Sequence, residues 1–278
     1  MKKKNKRIFS LILIVILLIV IALSAHVIIG NGKKEIKAAR NFKELLYSED
    51  MINKYENDSL LSYKSTRKID SSNSKKYYTV TTKYFTMDID DSYNVVGFNN
   101  MLYGNGKTQI DKEVAKEISE KYLKKLYNGD YEYDSLLEDD TLNVPYYTFI
   151  FKKCENGYPY YDKKITLQIN KFTGKLDGYV NFNYYVDTKD IDILLSEEEA
   201  ISNALKDFNE INKNGEIMGI YKAWTENEDN SFIELCYVIT LKGIDEEEKE
   251  IRIKYFISTE DGRIIRTVRD NIIVKKTE

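Results

Sequence analysis

The 278 residues carry 42 Lys and Arg against 45 Asp and Glu, but five of the basic residues precede Ile8, so the 246 residues from Lys33 onward are net −8. That acidic balance disfavours nucleic acid, whose phosphates demand clustered Lys and Arg. A single His excludes a multi-histidine metal site and confines any Ser-His-Asp chemistry to His26.

Residues 1–7 form a basic tail with Lys2, Lys3, Lys4, Lys6 and Arg7. Residues 8–29 follow as 22 uncharged positions dominated by Ile, Leu and Val. At about 1.5 Å per residue, a helix of that length crosses a hydrocarbon core of about 30 Å. The preceding positive charge orients the N-terminus to the cytoplasm and the C-terminal region outside the cell. Ala22 and Ser24 would suit a cleaved signal peptide, but the apolar run exceeds the roughly 7–15 residues of a signal-peptide core. The expectation is a single-pass cell-membrane protein, with His26 at the outer interface.

After the span, helix and strand patterns alternate, giving an α+β reading with candidate repeats at 34–105, 110–186 and 195–272. A first helix is read at Ile36 to Tyr47. Phe85, Met87 and Ile89 then alternate before Val95, Val96 and Phe98, the pattern of two strands joined by a short turn. A helix from Ile110 to Tyr127, capped by Asp111, places Val114, Ile118, Tyr122 and Leu126 on one stripe. Ile165, Leu167 and Ile169 alternate before Leu176 and Tyr179. The helix from Leu195 to Ile211 opens on a capping box at Ser196 to Glu199 and carries Ala200, Ala204 and Phe208. Ile253, Tyr255 and Ile257 alternate before Ile264 and Ile265. Ile169 and Ile257 lie 88 residues apart, as do Gly174 and Gly262, and the helix starts Asp111 and Ser196 lie 85 apart. Glycine at the matching turn position suits a positive φ. Each copy therefore reads as a helix covering the apolar face of about three antiparallel strands.

Asn156-Gly157-Tyr158-Pro159, Thr173-Gly174-Lys175 and Ser196-Glu-Glu-Glu-Ala200 supply the turns and helix start of a recognisable repeat. Together they make the chain similar to PepSY-like repeat proteins of the YcdB/YcdC and YpeB types. The third copy keeps Asp261-Gly262-Arg263 and has Lys242-Gly243-Ile244-Asp245 in place of the Asn-Gly turn. YycI/YycH-type anchored regulators are a related resemblance. These resemblances imply a non-catalytic extracytoplasmic module, without cofactor, that regulates an envelope partner such as a protease, a cell-wall enzyme or a sensor kinase.

Catalytic and metal motifs are incomplete. Gly106-Lys107-Thr108 lacks the first glycine of a phosphate loop, since Met101 stands there. Ser65 to Lys68 and Ser72 to Lys75 match S-x-x-K without its companion motifs. Asp88-x-Asp90-x-Ser92 starts like a calcium loop, but Tyr93 and Asn99 occupy the positions that need Gly and Glu. The acidic run Asp245 to Glu248 reads as a solvated loop. Cys154 and Cys236 read as two buried, unpaired thiols. The enzyme alternative is a cell-wall hydrolase using paired carboxylates, and a third class is a receptor for lipid or peptide. Among the 23 tyrosines, Tyr158, Tyr160, Tyr161, Tyr179, Tyr184 and Tyr185 are the candidates for an interaction surface.

Overall fold

The computed structural model describes residues 33–58, 61–69, 76–102, 104, 106, 109–137, 144–181, 190–227 and 232–270. The expected span at 8–29 lies outside them, and among the described residues no helix is long and apolar enough to cross a membrane.

The element order repeats three times. Helix α1 (Lys34–Ser48) is followed by β1 (Lys64–Ile69), β2 (Lys76–Thr81), β3 (Phe85–Asp90) and β4 (Val95–Asn100). Helix α2 (Lys112–Leu126) is followed by β5 (Tyr131–Leu137), β6 (Tyr146–Glu155), β7 (Tyr158–Asn170) and β8 (Leu176–Val180). Helix α3 (Glu197–Ile211) is followed by β9 (Lys213–Glu226), β10 (Ile233–Ile244), β11 (Glu250–Ser258) and β12 (Ile264–Asp270). Within each set every strand pairs with the next. The sequence suggested about three strands per copy; the fourth was hidden because the first strand of each set lacks clean alternation, as the exposure of β1 shows.

Each set ends in the same irregular hairpin. The pairing slips by one residue at Ile89, Ile169 and Ile257, leaving Val96, Asp177 and Ile265 as the extra, bulged residues. Gly174 and Gly262 take the expected positive φ of 67° and 74°, and Tyr93 fills the corresponding turn with φ 66°. Asn156 and Gly157, with φ 52° and 81°, close the β6–β7 hairpin in the conformation that Asn-Gly favours.

The described residues form two compact units, the first drawn from those within 33–126, 136–149 and 166–181, the second from those within 127–135, 150–165 and 190–270. The division runs through β5, β6 and β7; in β7, Tyr160 pairs with Trp224 of β9, whereas Thr166 to Ile169 pair with β8. In the first unit β4 pairs β8 antiparallel, and Phe42 of α1 packs between Phe98 and Tyr179, each at 6.1 Å between ring centroids. In the second unit Ala200, Ala204 and Phe208 of α3 cover Tyr237, Ile239, Leu241, Tyr255 and Ile257.

Three local readings need correction. Val114 is exposed, and the buried face of α2 is Ala115, Ser119, Tyr122 and Leu123, because the small side chains let the helix approach its sheet. Gly243 does not form the β10–β11 turn, which is Asp245–Lys249 with Glu248 at φ 59°. Gly243 instead sits within β10, where a Cβ would meet the Phe208 ring at 2.6 Å. Cys154 and Cys236 are unpaired as expected, but only Cys236 is buried.

Candidate functional site

The tyrosines singled out by sequence do not make a free surface. Tyr179 is buried against Phe42, because the bulge at Asp177 shifts the alternation and turns it inward. Tyr160 is buried beside the Trp224 ring at 6.2 Å, and its hydroxyl donates to the Glu155 carboxylate. Tyr158 packs half-buried on that cluster. Tyr161 is half-buried against Phe256 at 4.7 Å and under the Arg266 guanidinium at 5.2 Å. Tyr184 and Tyr185 lie outside the described residues.

The incomplete motifs are consumed by the fold. Ser65 donates to Glu35 Oε1 at 2.8 Å, Asp88 accepts from Thr79 at 2.7 Å, and Asp90 accepts from the Asn94 backbone at 2.8 Å. Asp245 accepts from the Glu247 and Lys249 backbones and from Arg269, which makes the acidic run a turn. Ser72 to Lys75, Lys107 and Thr108 lie outside the described residues. Among the described residues no three His, Cys, Asp or Glu side chains are placed to hold a metal.

Two places missed by sequence stand out. The first is in the first unit, at the bulge position. Val96 and Ile265 are apolar there, whereas the second copy has Asp177, 1% exposed. Burial raises its carboxyl to about 6, opposed by a hydrogen bond from Asn170. Asn170 is itself closed from solvent; its amide nitrogen also donates to the Gly104 carbonyl at 3.1 Å, and its Oδ1 accepts from the Phe172 and Thr173 backbones at 3.0 Å. Gly104 lines a pocket of about 470 Å³ together with Lys54, Tyr55, Glu56, Lys83 and Asn100. The Tyr55 and Tyr84 rings stack at 4.7 Å in its wall. The bond from Asn170 to Gly104 is what links this polar centre to the pocket lining. The signal was available: Asp stands where the aligned copies carry aliphatic residues.

The second place is the outer edge of β9 in the second unit. β10 pairs along one edge of β9, and β7 pairs along the other through Tyr160 and Trp224 alone. β7 runs parallel to β9 and begins only at Tyr158, so Lys213 to Tyr221 extend past it. Among the described residues no strand takes that edge. Ile217 and Met218 are 44% and 49% exposed there, and the pairing slips between them and Gly219. Bulges and charges such as Lys213 and Glu216 are usual protections of an exposed edge, while two adjacent exposed apolar side chains are not.

Residues 49–185 match the family model described as the YcdB, YcdC repeated domain. Over these residues the chain is similar to the YcdB/YcdC repeated domain. Among solved structures, the Bacillus megaterium YpeB C-terminal domain is similar, with a TM-score of 0.51 and 15% identity over 84% of this chain and 95% of that one. At that identity the likeness concerns the fold, a PepSY-like α+β arrangement of YcdB/YcdC and YpeB type. A candidate lipoprotein of Clostridium difficile aligns over 60% of this chain and 97% of its own at 11% identity, with a TM-score of 0.23. No curated protein matches the chain.

Proposed function

We propose that this YcdB/YcdC-type chain is anchored in the cell membrane by residues 8–29 and acts outside the cell as a non-catalytic module that binds and regulates an envelope protein. The partner class is that of the resemblance: a protease, a cell-wall enzyme or a sensor kinase. The observation that carries the reading is the unpaired outer edge of β9 from Lys213 to Tyr221, with Ile217 and Met218 exposed on it. Such an edge offers backbone hydrogen bonds to an extended segment, and its side chains add selectivity. Confinement to one membrane raises the effective concentration of a partner anchored in the same surface. The hydrolase alternative needs two carboxylates flanking one bond. Asp177 has a carboxyl raised by burial, and its side-chain partner is an amide rather than a second carboxylate.

A photo-cross-linking residue at Met218, in the full chain in native membranes, tests the proposal. One recurrent protein adduct is expected, and it should be lost when Ile217→Lys places a further charge on the edge. Cross-linking to lipid alone, or an adduct indifferent to Ile217→Lys, would rule out the β9 edge as the docking site.

A further inference from the structure

The pocket in the first unit contains a polar group that the fold leaves unused. Asn100, 5% exposed, lines the pocket at the end of β4. Its Oδ1 accepts from the Leu102 backbone at 3.0 Å and from the Tyr55 hydroxyl at 3.5 Å, which fixes the orientation of the amide. Its Nδ2 makes no hydrogen bond to a described residue and is not among the fully buried unpartnered atoms, so it opens on the solvent of the pocket. Backbone donors beside it are already engaged: Met101 N–H bonds the Tyr84 carbonyl at 2.8 Å, and Leu102 N–H bonds Asn100 itself. Side-chain donors on the lining are the Asn100 amide within, the Asn53 amide, and the ammonium groups of Lys54 and Lys83 at the rim. Lys83 lies 5.1 Å from the Tyr84 ring, and neither lysine has a carboxylate partner among the described residues. Glu56 lines the pocket too, so the fixed charges are two cations against one anion.

We infer that this pocket binds a singly charged carboxylate, which takes its hydrogen bond from Asn100 Nδ2 and its countercharge from Lys54 and Lys83. A doubly charged phosphate is a poorer match, because Glu56 opposes a second negative charge. Leu102, half exposed on the same wall, suits a small apolar group next to the carboxylate. The volume lies within the range of small-molecule sites and accommodates a dipeptide end or one sugar ring. The same carboxylate chemistry occurs at a peptide C-terminus and in an acidic sugar.

Saturation-transfer NMR on the full chain in detergent micelles separates these sources, with N-acetyl-Ala-Ala, its C-terminal amide and glucuronate as probes. At least one of the two acids should receive saturation and the amide none. Stronger transfer to the dipeptide acid identifies a peptide terminus, and stronger transfer to glucuronate identifies a sugar acid. Lys54→Gln and Lys83→Gln, both at exposed positions, should each weaken binding about threefold. Asn100→Leu should abolish it; if that variant does not fold, the lysine variants decide. Equal transfer to the acid and the amide, no transfer to either acid, or binding unchanged in both lysine variants would overturn the assignment. The β9 edge is probed by different variants, so failure here leaves that proposal standing.

Discussion

The Asn170 side-chain amide donates to Asp177 Oδ2 at 2.8 Å, and neither residue is more than 1% exposed. Asn170 is the last residue of β7 and Asp177 the bulged residue of β8, so the bond spans the hairpin turn. By also holding Gly104 and the Phe172–Thr173 backbone, Asn170 ties the turn to the pocket wall. A carboxyl here is a choice against stability, because the two aligned hairpins hold Val96 and Ile265.

The first prediction follows from that choice. Burial raises the Asp177 carboxyl to about 6 in the folded chain, above its ordinary 3.8. A raised acid pKa means that the folded state binds the proton more tightly, so its favourable contribution is full below the unfolded pKa. That contribution is lost as pH rises through about 6. Asp177→Asn, which can still accept from Asn170, should therefore stabilise the protein at pH 7.5 by about 1–3 kcal/mol. The gain should vanish near pH 4. Denaturant unfolding at both pH values checks this, and a pH-independent difference would refute the assignment.

Gly157 and Gly174 separate backbone strain from crowding. Both have positive φ, but a Cβ on Gly157 meets nothing within 4 Å, whereas one on Gly174 meets Ile118 Cδ1 at 3.1 Å. Gly157→Ala should cost about 1 kcal/mol, and Gly174→Val should cost more because Ile118 and α2 must shift as well. Equal midpoint changes in thermal unfolding would contradict this.

The start of α3 offers a cleaner local test. Ser196 accepts from the Glu199 backbone, and the Glu199 carboxylate accepts in return from the Ser196 backbone at 3.0 Å. Ser196→Ala should destabilise by about 1 kcal/mol, with faster amide exchange confined to the first turn of α3. Uniformly faster exchange throughout the second unit would indicate a wider role.

How far the sequence could be read depended on whether alternation survived. Phe85, Met87 and Ile89, and Ile165, Leu167 and Ile169, are all buried where a period of two puts them. The 88-residue spacing of Gly174 and Gly262 correctly marked equivalent turns. The parity changes at the bulge, so Asp177 and Tyr179, which alternation counted from the buried Leu176 assigns to the outer face, are both inside. That one-residue slip hid the polar centre and made Tyr179 look like a surface residue. Tyr93 concealed the first copy's turn by holding a positive φ without glycine, its ring stacked on Tyr78 at 6.2 Å. The β9 edge was illegible for another reason: which strand borders Ile217 and Met218 depends on where β7 begins, a property of tertiary pairing that no local pattern encodes.

The last prediction joins the cysteines to topology. Burial raises the thiol of Cys154 to about 11 and that of Cys236 further, so little thiolate of either exists near neutrality. The native chain should react slowly with maleimide at pH 7.5, and the unfolded chain should titrate two thiols with no prior reduction, since neither is in a disulfide. Rapid native labelling or fewer than two thiols on unfolding would contradict those environments. Their inertness makes an added cysteine selective. With the span at residues 8–29 retained and the basic tail in the cytoplasm, Thr277→Cys should be labelled by a membrane-impermeant maleimide on intact cells. The unaltered chain should give only background, and labelling confined to lysed cells would reverse the orientation on which the proposed envelope partner depends.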